Sequence, residues 1–252
     1  YVYTTLTVVA LYGNYMLIVM GVQTLMTAMF NSMNAGIGNL VAEGDKRKIM
    51  SVFAELFSIR FLFSCIMCFG VLMITPAFVS FWIGKKYVMD SLSLLLMTAI
   101  LFVNLSRTTV DAYINAYGLF GDIWAPIVEA SLNVGLSIIL GYYFGLHGVL
   151  SGVLISLLLV VFCWKPYYLF RKGLDERLSI YIFMYARHLM AALLCGVIVC
   201  LGMRYSMVQG DTTFFDGLLG ILVFSILSTL TLLCVAPGMR NLMRRFIRMC
   251  HV

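Results

Sequence analysis

Ionisable and amide side chains recur at helical spacing inside stretches of this chain that are otherwise apolar. The clearest set is Asn104, Arg107, Thr108, Asp111 and Asn115. Steps of three and four place them on one face of a helix, and Arg107 and Asp111, at i and i+4, are spaced to pair. Glu129, Asn133 and Ser137 make a second stripe one turn beyond Pro126, and Thr24, Thr27, Asn31 and Asn34 a third. Glu55 and Arg60 face different sides of one helix, and Arg187 stands beside His188. Guanidinium groups suit anions, carboxylates suit a proton or small cation, and amides suit hydroxyl-rich ligands. Together they describe a polar vestibule for an anionic or sugar-rich ligand.

The elements that carry these residues are seven long apolar stretches, near 14–41, 49–75, 91–118, 123–145, 147–169, 180–203 and 214–236. Each reaches the ~20 residues needed to span a bilayer. Hydrophobic residues make up 62% of the chain and charged residues 11%, with mean hydropathy +1.00. Soluble domains carry about 25% charge. The expected fold is therefore an all-α polytopic membrane helical bundle of about seven transmembrane helices. Basic residues concentrate in alternate gaps and the C-terminus: Lys46, Arg47, Lys48, Lys165, Arg171, Lys172, Arg177, Arg240, Arg244, Arg245 and Arg248. The other gaps hold only Lys85, Lys86 and Arg204. Short basic loops remain cytoplasmic, which sets the N-terminal end outside and the C-terminus inside. The formal charge of +6 thus points to membrane lipids, above all the anionic cytoplasmic leaflet, and not to nucleic acid.

An arginine or aspartate at the centre of a span costs about 2.5–3.5 kcal/mol on insertion scales and persists where it pairs or lines a wet cavity. At 1.5 Å per residue, Arg60 lies about 16 Å from the cytoplasmic end of its helix, Asp111 about 14 Å, Glu129 about 10 Å and Arg107 about 20 Å. Arg187 and His188 lie nearer that end and are expected to snorkel. Thr75-Pro76 is expected to end the second span, leaving 78–84 as an aromatic interfacial piece. Gly145 and Gly148, around His147, permit a tight turn between the fourth and fifth spans. The seven cysteines fall mostly in apolar spans. Cys65 and Cys68 read as small hydrophobes, and no metal site is expected. No nucleophile–base arrangement or phosphate-binding glycine loop is present, so no enzyme activity is expected. The chain begins at Tyr1, and an upstream portion is expected.

Residues 12–22 (YGNYMLIVMGV), 34–48 (NAGIGNLVAEGDKRK), 78–88 (FVSFWIGKKYV) and 115–156 (NAYGLFGDIWAPIVEASLNVGLSIILGYYFGLHGVLSGVLIS) resemble bacterial polysaccharide-biosynthesis flippases of the Wzx type. These belong to the multidrug/oligosaccharidyl-lipid/polysaccharide exporter superfamily. The resemblance runs from residue 12 to about 172. It implies a fourteen-helix transporter of two lobes, of which these spans are the eighth to fourteenth. Residues 1–172 would be C-terminal lobe helices, and 173–252 two additional helices with a basic tail.

The resemblance further implies location in the bacterial inner membrane and an undecaprenyl-pyrophosphate-linked oligosaccharide moved by alternating access for surface polysaccharide (O-antigen) biosynthesis. It implies no cofactor beyond a coupling H+ or Na+. The N-terminal lobe would be one partner, and the polysaccharide polymerase machinery another. Arg107 and Arg60 would then contact pyrophosphate, and Asn31, Asn34 and Asn104 sugar hydroxyls. Asp111 and Glu129 would hold the arginine or carry the coupling ion. A cation-coupled multidrug antiporter of the same superfamily is the alternative. A seven-helix receptor fits less well, because Asp-Arg-Tyr and Asn-Pro-x-x-Tyr motifs are absent.

Overall fold

The computed structural model describes residues 6–121, 123–207 and 214–250. The helices are α1 (Leu6–Glu43), α2 (Lys46–Trp82), α3 (Ser91–Ser106), α4 (Thr108–Ala116), α5 (Trp124–Leu157), α6 (Lys165–Leu169), α7 (Leu178–Met207), α8 (Phe214–Val235) and α9 (Pro237–Cys250). π-Helical turns at Leu158–Trp164 and Phe170–Leu174 flank α6. Among the described residues six helical runs are long and apolar enough to cross a membrane, so the chain is a multi-pass membrane protein.

The fourth run, Trp124–Leu174, is 51 residues long, or about 75 Å if straight, far beyond a bilayer core of about 30 Å. It is not straight. Gly145 has φ 58 and ψ −133, a conformation glycine adopts without a Cβ clash, and the chain turns back there. Ser137 Oγ donates to Val149 O across the turn at 3.3 Å. A Cβ on Gly148 would sit 1.9 Å from Leu140 O, and one on Gly152 2.6 Å from Ser137 N. The two limbs thus pack backbone to backbone, as small residues permit in membranes. Among the described residues the six apolar runs therefore divide into seven apolar limbs, with the turn where the glycines suggested.

α2 is the axis of the bundle. Phe53, Phe57 and Phe61 follow one another at i+4 and are all but fully buried. They meet Tyr113 and Phe170 (5.0 and 5.5 Å from Phe53), and Tyr181 and Tyr185 (5.7 and 6.0 Å from Phe57). Phe69 stacks on Phe224 of α8 at 4.3 Å. Such pairs contribute about 0.5–1.5 kcal/mol beyond area burial, and in lipid this packing, not water exclusion, holds helices together. The helices after residue 173 thus share the core of those before it.

One expectation about the spans is corrected. α2 continues through Pro76 to Trp82, because membrane helices tolerate proline where neighbours satisfy the freed carbonyl; Phe78–Trp82 is therefore helical. The third span stays one run, Ser91–Ala116, with a turn at Arg107, whose N–H still reaches Val103 O at 3.2 Å while its own carbonyl accepts from Asp111 N at 3.1 Å.

The two ends of the bundle differ chemically. At one, Asp45 caps α2 by accepting from Arg47 N and Lys48 N, Lys46 pairs with Asp175 at 2.9 Å, and α9 lies on α2. At the other, Tyr15 accepts from Met89 N, and His147, beside the Gly145 turn, meets Asp90 at 2.8 Å.

Candidate functional site

A cleft of about 470 Å³ opens between α1, α2 and the α3–α4 junction. Its lining includes Asn31, Asn34, Arg60, Asn104, Arg107 and Asp111, so one space gathers two of the polar stripes around Arg60 of α2. Asn115, Thr108 and Thr27 line it too. Thr27, Asn31 and Asn34 are exposed on α1, which makes this a cleft along the bundle's flank and not a sealed void. Its size falls within the ~300–1,000 Å³ common for small-ligand sites.

Arg60 forms its floor and is 2% exposed. Nη1 donates to Thr108 O at 2.9 Å, and Nη2 to Asn34 Oδ1 at 3.1 Å and Phe30 O at 3.4 Å. The Phe30 ring centroid lies 5.2 Å from its Cζ. Asn34 in turn donates to Asn31 Oδ1 at 3.3 Å. Among the described residues no carboxylate pairs with Arg60, and its Nε has no hydrogen-bond partner. A guanidinium does not deprotonate in proteins. The cleft therefore holds a buried, uncompensated positive charge surrounded by dipoles.

Arg107 is different. Its Nε lies 3.3 Å from Asp111 Oδ2, and Nη1 lies 3.9 Å from Glu129 Oε1. Lys165 Nζ reaches Asp111 Oδ1 at 2.8 Å. Two cations and two carboxylates interlock, and their charges cancel. The expected pairing of Arg107 with Asp111 is present, and Glu129 joins it from α5 without lining the cleft. Lys165 is the residue the sequence reading missed: it was counted among the basic loops, yet only 19% of its side chain is exposed. The signal was available, since 147–169 reads as one apolar span with Lys165 inside it. The π-helical turn ahead of α6 shifts the helical register of Lys165, a change that hydropathy cannot show.

Glu55 and Arg60 do part company, as their spacing requires. Glu55 accepts from Ser51 Oγ at 3.2 Å and pairs with Arg245 of α9 at 3.3 Å. Snorkelling fails for His188, which is fully buried. Nδ1 reaches Met184 O at 2.7 Å, Nε2 reaches Ser58 Oγ at 3.0 Å, and Phe57 and Phe61 pack against the ring. With local acceptors and aromatic walls it has no reason to reach for water. In the third stripe the two threonine hydroxyls bond locally, Thr24 to Met20 O and Thr27 to Gln23 O. Ser137 donates to Asn133 Oδ1 at 3.2 Å, within the α5 hairpin.

Comparison with protein-family models, curated proteins and solved structures finds no match.

Proposed function

We propose that this chain forms the C-terminal part of a membrane flippase of the Wzx type, translocating undecaprenyl-pyrophosphate-linked oligosaccharide across the bacterial inner membrane by alternating access. The observation that carries the reading is Arg60. It is buried in a polar cleft, without a carboxylate, beside amides from α1 and α3. A site for a cationic drug needs an available acid. Here Asp111, the one acid lining the cleft, is held by Arg107 and Lys165, which weighs against the multidrug antiporter.

In this mechanism the lipid tail stays in the bilayer while pyrophosphate and sugar enter the cleft past the exposed edge of α1. Arg60 meets the anion, because a guanidinium fork matches phosphate oxygens. Asn31, Asn34 and Asn104 offer amides to sugar hydroxyls. Arg107 contributes only when the anion competes with Asp111 and Glu129 for it, which would couple substrate entry to rearrangement of the four-charge cluster. Protonation of Asp111, or its capture of Na+, has the same releasing effect. An N-terminal lobe supplies the facing wall against the exposed Leu17, Met20, Leu25, Met29 and Met33 of α1.

The test is surface-polysaccharide export in cells whose own flippase is replaced by variants. Arg60→Met should reduce export at least about tenfold, equivalent to about 1.4 kcal/mol. Arg60→Lys, which keeps charge but loses the fork, should recover only part of it. Wild-type export by a well-expressed Arg60→Met protein sinks the assignment.

A further inference from the structure

A second cavity, about 820 Å³, lies at the basic end of the bundle between the first turns of α2, the first half of α7 and the start of α9. Its charged lining is Lys46, Arg47 and Arg187 against Glu176. Lys46 is occupied by Asp175. Arg47 and Arg187 pair with no carboxylate among the described residues.

Arg187 carries the argument. A snorkelling arginine places its whole guanidinium in water, but Arg187 Nε is shut away from solvent with no acceptor. Its Cζ lies 5.9 Å from the Phe183 ring. A buried donor left unmade costs about 1–3 kcal/mol, more when charged, and the guanidinium that carries it lines the cavity without a carboxylate, where an acceptor from outside can meet it. Position says which kind. α7 has 30 residues, about 45 Å, against a hydrocarbon core of about 30 Å. With equal overhang, Arg187 lies a few ångströms below the core boundary, and helical side chains lean toward the N-terminus, here toward the headgroups. The flank beside it is apolar, with Ile180 and Phe183 exposed at 41% and 70%.

We propose that this cavity is a binding site for an anionic phospholipid. Its phosphate is held by Arg187 and Arg47, and its acyl chains lie along Ile180 and Phe183. Occupancy fastens α2, α7 and α9 together at one end. The site is separate from the cleft at Arg60 and does not depend on flippase activity.

Native mass spectrometry of the detergent-solubilised protein, with phosphatidylglycerol or phosphatidylcholine added, tests it. Wild type should retain phosphatidylglycerol at least about fivefold better, the effect expected of one basic contact. Arg187→Gln and Arg47→Gln should each remove about that factor. Arg244→Gln, on the exposed face of α9, should leave retention unchanged, and Arg187→Lys should restore part of it. Equal retention of the two lipids, or wild-type retention by Arg187→Gln and Arg47→Gln, overturns the proposal. So does equal loss in all three glutamine variants, which signifies diffuse attraction. Displacement by glycerol phosphate as effective as by lipid also overturns it, since the site would then hold a soluble anion. Arg47 is exposed at the start of α2, so its variant folds and decides the matter even if Arg187→Gln does not.

Discussion

Lys165→Met removes one cation from the four-charge cluster and leaves Asp111 and Glu129 sharing Arg107. The Lys165–Asp111 contact is 2.8 Å, with side chains 19% and 29% exposed. Two unit charges at 4 Å interact by about 4 kcal/mol at an effective dielectric of 20, and partial desolvation offsets much of that. Exposed pairs are worth about 0.2–1 kcal/mol, whereas breaking a fully buried pair costs about 3–5 kcal/mol. A pair that is three-quarters buried falls between, so the expected coupling is about 1–2 kcal/mol. For a chain of this size 1 kcal/mol moves Tm by about 2–4 °C, which gives a drop of about 2–8 °C for Lys165→Met. Asp111→Asn should cost a similar amount, because it strands Lys165. The double variant should cost less than the sum by the coupling energy. Thermal unfolding of the four proteins in detergent supplies the cycle. Additivity within about 0.5 kcal/mol would show that Lys165 and Asp111 do not depend on each other, and the cluster would reduce to Arg107 with Asp111 and Glu129.

Gly148→Ala forces a Cβ to within 1.9 Å of Leu140 O, a backbone atom that cannot step aside. The α5 hairpin should splay at a cost of more than about 3 kcal/mol, seen as lost expression of monodisperse protein. Gly135→Ala, with nothing within 4 Å, should be neutral or stabilising. Burial opposes ionisation of Asp90, but hydrogen bonds from His147 and Ser93 outweigh it and bring the carboxyl from 3.8 down to about 2. A depressed carboxyl stabilises the fold above its unfolded value and loses that contribution as pH falls through the folded one. Wild type should therefore lose stability between pH 4 and 2 relative to Asp90→Asn. With the side chain 53% exposed, the difference in acid unfolding is about 1 kcal/mol after screening. Arg245→Gln leaves Glu55, whose side chain is 6% exposed, with only Ser51 as partner. It should cost about 1–3 kcal/mol, more than Glu55→Gln, and should make α9 more susceptible to protease.

The cleft was legible in the sequence because its lining follows a single helical rule. Asn104, Arg107, Thr108, Asp111 and Asn115 share a face by spacing alone, as do Thr27, Asn31 and Asn34, and such faces must turn away from lipid. That α1 and the α3–α4 run bring these faces together around Arg60 is a matter of packing, which spacing does not encode. Partners far apart in sequence were invisible for the same reason. Lys165 reaches Asp111 across 54 positions, His188 reaches Ser58 across 130, and Arg245 closes on Glu55 from the tail. Charge counting misassigned Lys165 because it treats every lysine near an apolar boundary as loop. Snorkelling misjudged His188 because local acceptors were not in view. Pro76 was read as a stop because the rule for soluble helices is stricter than the one in lipid.

The centre of α2 shows why a spanning helix can carry a glutamate, a serine and an arginine within six positions. Each side chain finds a different neighbour: Glu55 the tail helix, Ser58 the buried His188 of α7, and Arg60 the carbonyls and amide of α1 and α4. Every one of these contacts replaces water that lipid cannot supply. Of the two charged residues only Arg60 lacks an opposite charge among the described residues, and it lines an open cleft. A neutral glutamine at position 60 could make similar bonds to Thr108 O and Phe30 O without the insertion cost of about 2.5–3.5 kcal/mol. Holding the helices together therefore does not account for a guanidinium here. What a guanidinium adds is a positive charge lining the cleft, which is the property the proposed anion site requires.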